Sequence, residues 1–511
     1  MSLAASAIPA EERDNLALAD ERQVLSWNEL DPVLNRATNA LLEIKSTTPR
    51  AALCAPNCVE IVMAYTACLQ AGISSTPVSY LLTPTEVAYI LRDAGATVLF
   101  VGPETSQAGL SAAASVGGVT VIGWRCDPQE GLISWEEWLN ASSPAEPPRD
   151  FAAAPHLHYT SGTTGKPKGV ETPHAQLPRL PSVERLAEYL SARRLPSPGL
   201  VVGPNYHTGP LTTIRGLFAG GAIVTLSSFD AEKTLAAIER FQIAGVVMVP
   251  THFQRLLALP AETRARYDVS SLRRVGHTGA ACPPDVKRRM IDWFGPVLNE
   301  AYGGTEVGVL TTISSEDWLR RPGSVGRAAP PYSIVILDDD GAELGPTGVG
   351  QVCFRDANGH GIVYHNDPGK TAAARVAPGV FTLGEVGYVD EEGYLFITDR
   401  VSDLIVSGGV NIYPAEAEQI LASHEDVADV AVIGVPNIEM GEEVKALIIP
   451  TDPSRPPSAQ QLDLYCRAHL AGYKCPRSYE LVSDVGRNAI GKVNKRALRQ
   501  SYWPSDRAIG G

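Results

Sequence analysis

The sequence predicts a layered α/β protein made of a large N-terminal unit, about residues 1–400, and a small α+β unit, about residues 401–511. Three observations carry that expectation. At 511 residues the chain is longer than one hydrophobic core organises. Over the first 400 residues short β-branched runs alternate with helix-like segments, the pattern of sheets covered by helices. Beyond residue 400, two strand-like runs at 429–435 and 444–449 precede a capped helix, which suits a separate small layer.

In chain order, Thr83-Pro84-Thr85-Glu86 forms a capping box with proline at the first helical position, and Gly95 supplies the stop. Residues 140–155, rich in Pro, Ala and Ser, read as a surface connection. The runs 199–203, 222–226 and 245–249 read as buried strands. A helix is expected over 414–421, another is capped by Ser458 with Gln461, and a frayed tail starts at Trp503.

Composition narrows the class. With 44% hydrophobic and 20% charged residues the chain is globular, not disordered. A net charge of −14 disfavours nucleic acid and anionic membrane as general partners, while leaving room for a local phosphate pocket. No apolar run is long enough for a membrane span, and residues 1–14 lack a secretory pattern. Eight scattered cysteines, with Cys54 and Cys58 the closest pair, read as buried thiols of a cytoplasmic protein.

Chemistry concentrates at His158-Tyr159-Thr160-Ser161-Gly162-Thr163-Thr164-Gly165-Lys166-Pro167-Lys168-Gly169-Val170. Glycines let successive N–H groups converge on an anion, while hydroxyls and ammonium groups add phosphate donors. The spacing is not that of the P-loop. The segment resembles the signature loop of the adenylate-forming superfamily, which holds acyl-CoA synthetases, adenylation domains and luciferases.

The resemblance extends along nearly the whole chain, in the superfamily's order. It implies that Thr160, Ser161, Gly162, Thr163, Thr164, Gly165, Lys166 and Lys168 cradle ATP phosphates. Gly279-Ala280-Ala281 resembles the adenine-lining strip. In Tyr302-Gly303-Gly304-Thr305-Glu306 the ring would stack on adenine, Thr305 bond the α-phosphate, and Glu306 hold Mg²⁺ with Thr160. Glu385, where the superfamily usually has Asp, would contact the ribose, and Arg400 the ribose or a phosphate; a carboxylate accepts from two hydroxyls at once. Ser402 stands at the hinge, where Asp or Lys is usual. Gly408 and Gly409 resemble the loop that closes on the pantetheine of coenzyme A, and Lys492 the adenylation lysine.

His207, after Tyr206, resembles the aromatic–His pair beside the acyl pocket of CoA ligases; residues 246–250 and His277 are expected as further walls. No acidic residue occurs from 199 to 221, so an α-amino acid would bring an unpaired ammonium at a cost of several kcal/mol. The expected reaction is therefore acyl-adenylate formation from an apolar acid, fatty, aromatic or alicyclic and steroid-type, followed by thioester formation. Residues 283–296 and 395–400 resemble bacterial fatty-acyl and bile-acid or steroid-acid CoA ligases. Alternatives are transfer to an amine or a carrier protein, and a non-catalytic acyl-nucleotide binder. A homodimer stays open beside a monomer.

Overall fold

The computed structural model describes residues 1–44, 49–160, 167–173, 176–338, 340–400, 403, 405–407, 410–412, 414–437, 440–470, 472–487 and 493–503. Ser161, Gly162, Thr163, Thr164, Gly165, Lys166, Ser402, Gly408, Gly409 and Lys492 lie outside the described residues, as do the side chains of Thr160 and Arg400.

A nine-stranded sheet forms the centre. From one edge its order is Arg327–Ala328, Gly308–Ser314, Leu298–Gly304, Arg274–His277, Gly245–Met248, Gly199–Val201, Ile223–Thr225, Leu16–Ala19 and Val24–Ser26. Its middle is parallel, and antiparallel partners close both edges. Parallel strands buried on both faces need continuous apolar sequence. Accordingly, Leu200, Val246, Val275 and Leu298 are all below one per cent exposed.

A second, all-parallel sheet runs in the order Ser74–Pro77, Arg50–Cys54, Val98–Val101, Thr120–Gly123 and Leu132–Ser134. Helix Val59–Gln70 is buried along its whole length between the two parallel layers, in the largest apolar cluster. An antiparallel sheet of Tyr332–Leu337, Gly350–Asp356, Val380–Val389, Arg375–Ala377 and Leu395–Arg400 follows. The small C-terminal domain carries strands Val410–Ile412, Ile405–Ser407, Gly441–Pro450, Val427–Asn437 and Ser478–Leu481, with helices Pro414–Ala422 and Ala459–His469.

Local signals resolve as expected. Thr83 accepts from the Glu86 N–H and Glu86 reaches back to the Thr83 N–H, starting helix Pro84–Ala94; Gly95 ends it at φ 64°. Ser458 and Gln461 make the same box before Ala459–His469. Among the described residues no helix is long and apolar enough to cross a membrane.

Candidate active site

Two hairpins and one helix N-terminus build the site. In the first hairpin, strand Leu157–Thr160 pairs antiparallel with Lys168–Glu171, with Tyr159 opposite Gly169 and Thr160 opposite Lys168. The segment expected to cradle phosphate therefore lies in sequence between the two strands of this hairpin. Its base is fixed from outside: the Tyr159 hydroxyl donates to Asp93 Oδ2 at 2.6 Å, and burial, then that bond, raise the Tyr159 pKa. A Cβ on Gly169 would come within 3.1 Å of His365 Cβ and 3.3 Å of the Tyr159 ring, so close packing favours glycine there. Lys168 Nζ lies 5.6 Å from the Tyr364 ring centroid.

The second hairpin joins Leu298–Gly304 to Gly308–Ser314, with Tyr302 opposite Thr311 and Gly304 opposite Gly308. Its turn holds Thr305 and Glu306. A Cβ on Gly303 would sit 1.9 Å from the Gly308 carbonyl oxygen, so only glycine fits. The Tyr302 ring packs 6.1 Å from Phe354, in the cluster of Val307, Leu310 and Phe381. Glu306 is half-buried and has no hydrogen-bond or ion-pair partner among the described residues. Its charge helps raise the Tyr364 pKa, after burial, so it stands near the first hairpin's flank. A half-buried carboxylate with open oxygens is a fit for a hard divalent cation such as Mg²⁺.

Helix Thr208–Phe218 points its N-terminus at this turn: the Thr208 hydroxyl lies 3.3 Å from that of Thr305. His207 occupies the N-cap position, with its ring 4.5 Å from that of Tyr206, which meets Tyr80 edge-on at 5.5 Å. Unsatisfied N–H groups at such a terminus suit an anion. Gly279-Ala280-Ala281 follows the neighbouring strand Arg274–His277, with Gly279 at φ 91°. Leu383 packs on Gly304, since a Cβ there would be 3.5 Å from Leu383 Cδ1; two residues on, Glu385 is buried opposite Arg400.

Alternation in strand Gly245–Met248 divides the expected pocket wall. Val246 and Met248 enter the core, whereas Val247 turns to Gly209, whose Cβ would lie 3.2 Å from Val247 Cγ1 and 3.7 Å from Thr278 Cγ2. His277 is a correction. It faces the core side, fully buried against Phe253 at 5.4 Å, with Nε2 3.6 Å from Glu300 Oε2. In a strand the side chain reverses at every residue, so His277 lies on the face opposite to Gly276, which packs on Val247.

Sequence reading missed Thr208, the buried Lys287–Glu300 pair and a buried Arg215. Arg215 interrupts the apolar run Leu211–Phe218 on an otherwise buried helix face, and that break was a usable signal.

Comparison with known proteins gives the family. Residues 5–361 match the family model of the AMP-binding enzymes, and residues 416–492 that of the AMP-binding enzyme C-terminal domain. The indoleacetate–CoA ligase of Aromatoleum aromaticum is 34% identical over 453 residues, covering 87% of this chain and 86% of its own. The methyl-dioxo-octahydro-indenyl-propanoyl:CoA ligase of Mycobacterium tuberculosis is 34% identical over 511 residues, covering 95% and 96%. Among solved structures, the amide bond synthetase McbA of Marinactinospora thermotolerans superposes with a TM-score of 0.81 at 26% identity, over 96% and 98% of the two chains. The chain thus belongs to the AMP-binding enzymes, the adenylate-forming superfamily. Within it the chain stands in the acyl-CoA ligase branch, as an AMP-forming acid–thiol ligase that uses ATP.

Proposed function

We propose that the enzyme activates an apolar monocarboxylic acid, fatty, aromatic or alicyclic and steroid-type, and passes it to coenzyme A. The observation that carries this reading is the uncharged surface next to His207 in the chain: Gly209, Val247, Gly276 and Thr278 pack together there, and none of them offers an ion to a second charged group. Two relatives named for indoleacetate and an indenyl propanoate support it.

The acid's carboxylate oxygen attacks the α-phosphorus of ATP as the bond to pyrophosphate breaks. The chain's part is positioning and charge stabilisation. Thr305 donates to the α-phosphate, the N-terminus of helix Thr208–Phe218 faces the developing charge, and Lys492 supplies a cation. Tyr302 and Gly279-Ala280-Ala281 border the adenine, while Glu385 and Arg400 take the ribose. Glu306 and Thr160 would hold Mg²⁺, which neutralises phosphate charge when bound. In the second half-reaction the thiol sulfur of coenzyme A, its proton lost, attacks the acyl carbon and AMP leaves. Rotation of the small domain (401–511) about Ser402 would withdraw Lys492 and bring Gly408 and Gly409 to the pantetheine. The setting is the cytoplasm.

The superposition with an amide bond synthetase favours one rival, an amine as acceptor. The test is a panel of indoleacetate, long-chain fatty acids, alicyclic propanoates and dicarboxylates, assayed for pyrophosphate–ATP exchange without acceptor. AMP release is then measured with coenzyme A, with amines or with a carrier protein. Exchange with apolar monoacids and AMP release that needs coenzyme A are expected. Exchange confined to dicarboxylates, or release driven by amines alone, would sink the proposal.

A further inference from the structure

Arg215 is a buried cation, 4% exposed, on the helix whose first residue touches Thr305. Among the described residues no acidic side chain is bonded to it: Nε donates to the Tyr65 hydroxyl at 3.0 Å, and Nη1 to Gln176 Oε1 at 3.5 Å, while Nη2 has no partner. Tyr65 is held in turn, its hydroxyl 3.0 Å from His156 Nδ1, which lies 2.8 Å from Ser75 Oγ. Burying a charge without a counter-ion costs several kcal/mol, and an apolar side chain would serve the core better. The cost points to a task beyond packing.

Gln176 shows what that task is. With its amide oxygen turned to the guanidinium, its NH₂ end must face the other way. There it covers Gly308, where a Cβ would lie 2.7 Å from Gln176 Nε2. Gly308 has φ 79° and closes the turn bearing Thr305 and Glu306. Helix Thr208–Phe218 therefore meets this turn twice: directly through Thr208, and two helical turns further on through Arg215 and Gln176. Arg215 also lowers the pKa values of His156 and His158 after burial, which keeps the strand entering the phosphate loop uncharged.

We propose that Arg215 is a positioning residue for adenylation: through Gln176 it holds the turn 304–308 where Thr305 and Glu306 meet the nucleotide. This rests on the reading of that turn given under the proposed function. The full-length enzyme is compared with Arg215→Met, Gln176→Leu and the double variant, using the best acid of the panel and its synthetic acyl-adenylate. Each single change should lower the kcat of pyrophosphate exchange roughly 10- to 100-fold, as for a small misplacement of reacting groups. Transfer to coenzyme A from the supplied adenylate should stay within about twofold, and the double variant should be no slower than the slower single one, as for one coupled unit.

Equal losses in both half-reactions, together with a lowered Tm, would make Arg215 structural only and overturn the proposal. Full exchange in Gln176→Leu would do the same. Should Arg215→Met fail to fold, Gln176→Leu, at a half-buried position, decides alone. Glu306→Gln separates the two readings. Loss of exchange there with none in Gln176→Leu rejects the brace, whereas undiminished exchange in Glu306→Gln rejects the underlying reading of the turn.

Discussion

The most exacting single contact outside the site is the ion pair of Lys287 and Glu300. Nζ donates to Oε2 at 2.5 Å, both side chains are under 10% exposed, and the Trp318 ring lies 4.6 Å from the ammonium. Burial pushes the Glu300 carboxyl up and the Lys287 ammonium down, each offset by the partner's charge. Glu300→Ala would strand a buried cation and is expected to cost about 3–5 kcal/mol, whereas the double change Lys287→Met with Glu300→Leu should restore most of that. Urea unfolding of the three variants checks this; a single variant within about 1 kcal/mol of the parent would show that the pair is not coupled. The pair was legible in part. Lys287 looks like part of a solvated basic run with Arg288 and Arg289, yet it shares the stripe of Met290, Ile291 and Phe294 at helical spacing. Glu300 carries no local sign of its partner, because the contact depends on how helix Pro284–Phe294 packs over the sheet.

At the scale of elements, the hairpin Leu298–Gly304/Gly308–Ser314 is the least tolerant piece of the site. Two strands approach so closely at Gly303 that a methyl group would enter the Gly308 carbonyl. Gly303→Ala is expected to destabilise the chain by about 1–3 kcal/mol, as overpacking does, and to displace Tyr302 and Thr305. Melting curves and pyrophosphate exchange measure the two effects. Normal stability with normal exchange would mean that the turn relaxes freely and does not fix the site. Sequence marked this motif through its resemblance to a nucleotide-binding one; the need for glycine at 303 comes from a cross-strand contact. Helix ends were far more legible. The boxes at Thr83 and Ser458 satisfy backbone N–H groups with side chains three residues away, so their whole cause lies within one turn.

For the molecule as a whole, the four buried histidines among the described residues govern the acid limit. His158 and His252 are pushed down to about 3, mainly by burial, and burial drives His156 and His277 well below the usual 6.5. The unfolded chain binds protons at these rings below about pH 6.5 while the native chain does not. Stability is therefore full above pH 6.5 and falls as pH drops toward the native values, by about 1.4 kcal/mol per pH unit for each ring. Glu300, whose raised pKa favours the native state in acid, opposes this as one group against four. Acid unfolding is expected near pH 5, before most carboxylates titrate, and His252→Gln should flatten the slope by one proton. A midpoint below pH 4, or an unchanged slope in His252→Gln, would refute this.

The sequence by itself determined the α/β class, the helix caps, the buried strands and the glycine-rich motifs, together with the family that those motifs mark. Each of these rests on neighbours along the chain: hydrogen bonds within a turn, alternation within a strand, or the φ freedom of glycine. Tertiary structure alone decided that His277 faces the core, that Val247 packs against Gly209, and that Arg215 reaches Gln176 and Tyr65. Those outcomes depend on which faces of distant elements are buried against each other. The pairing of Arg215 with Tyr65 spans 150 residues, and no local pattern encodes a contact that only the packing of two helices creates.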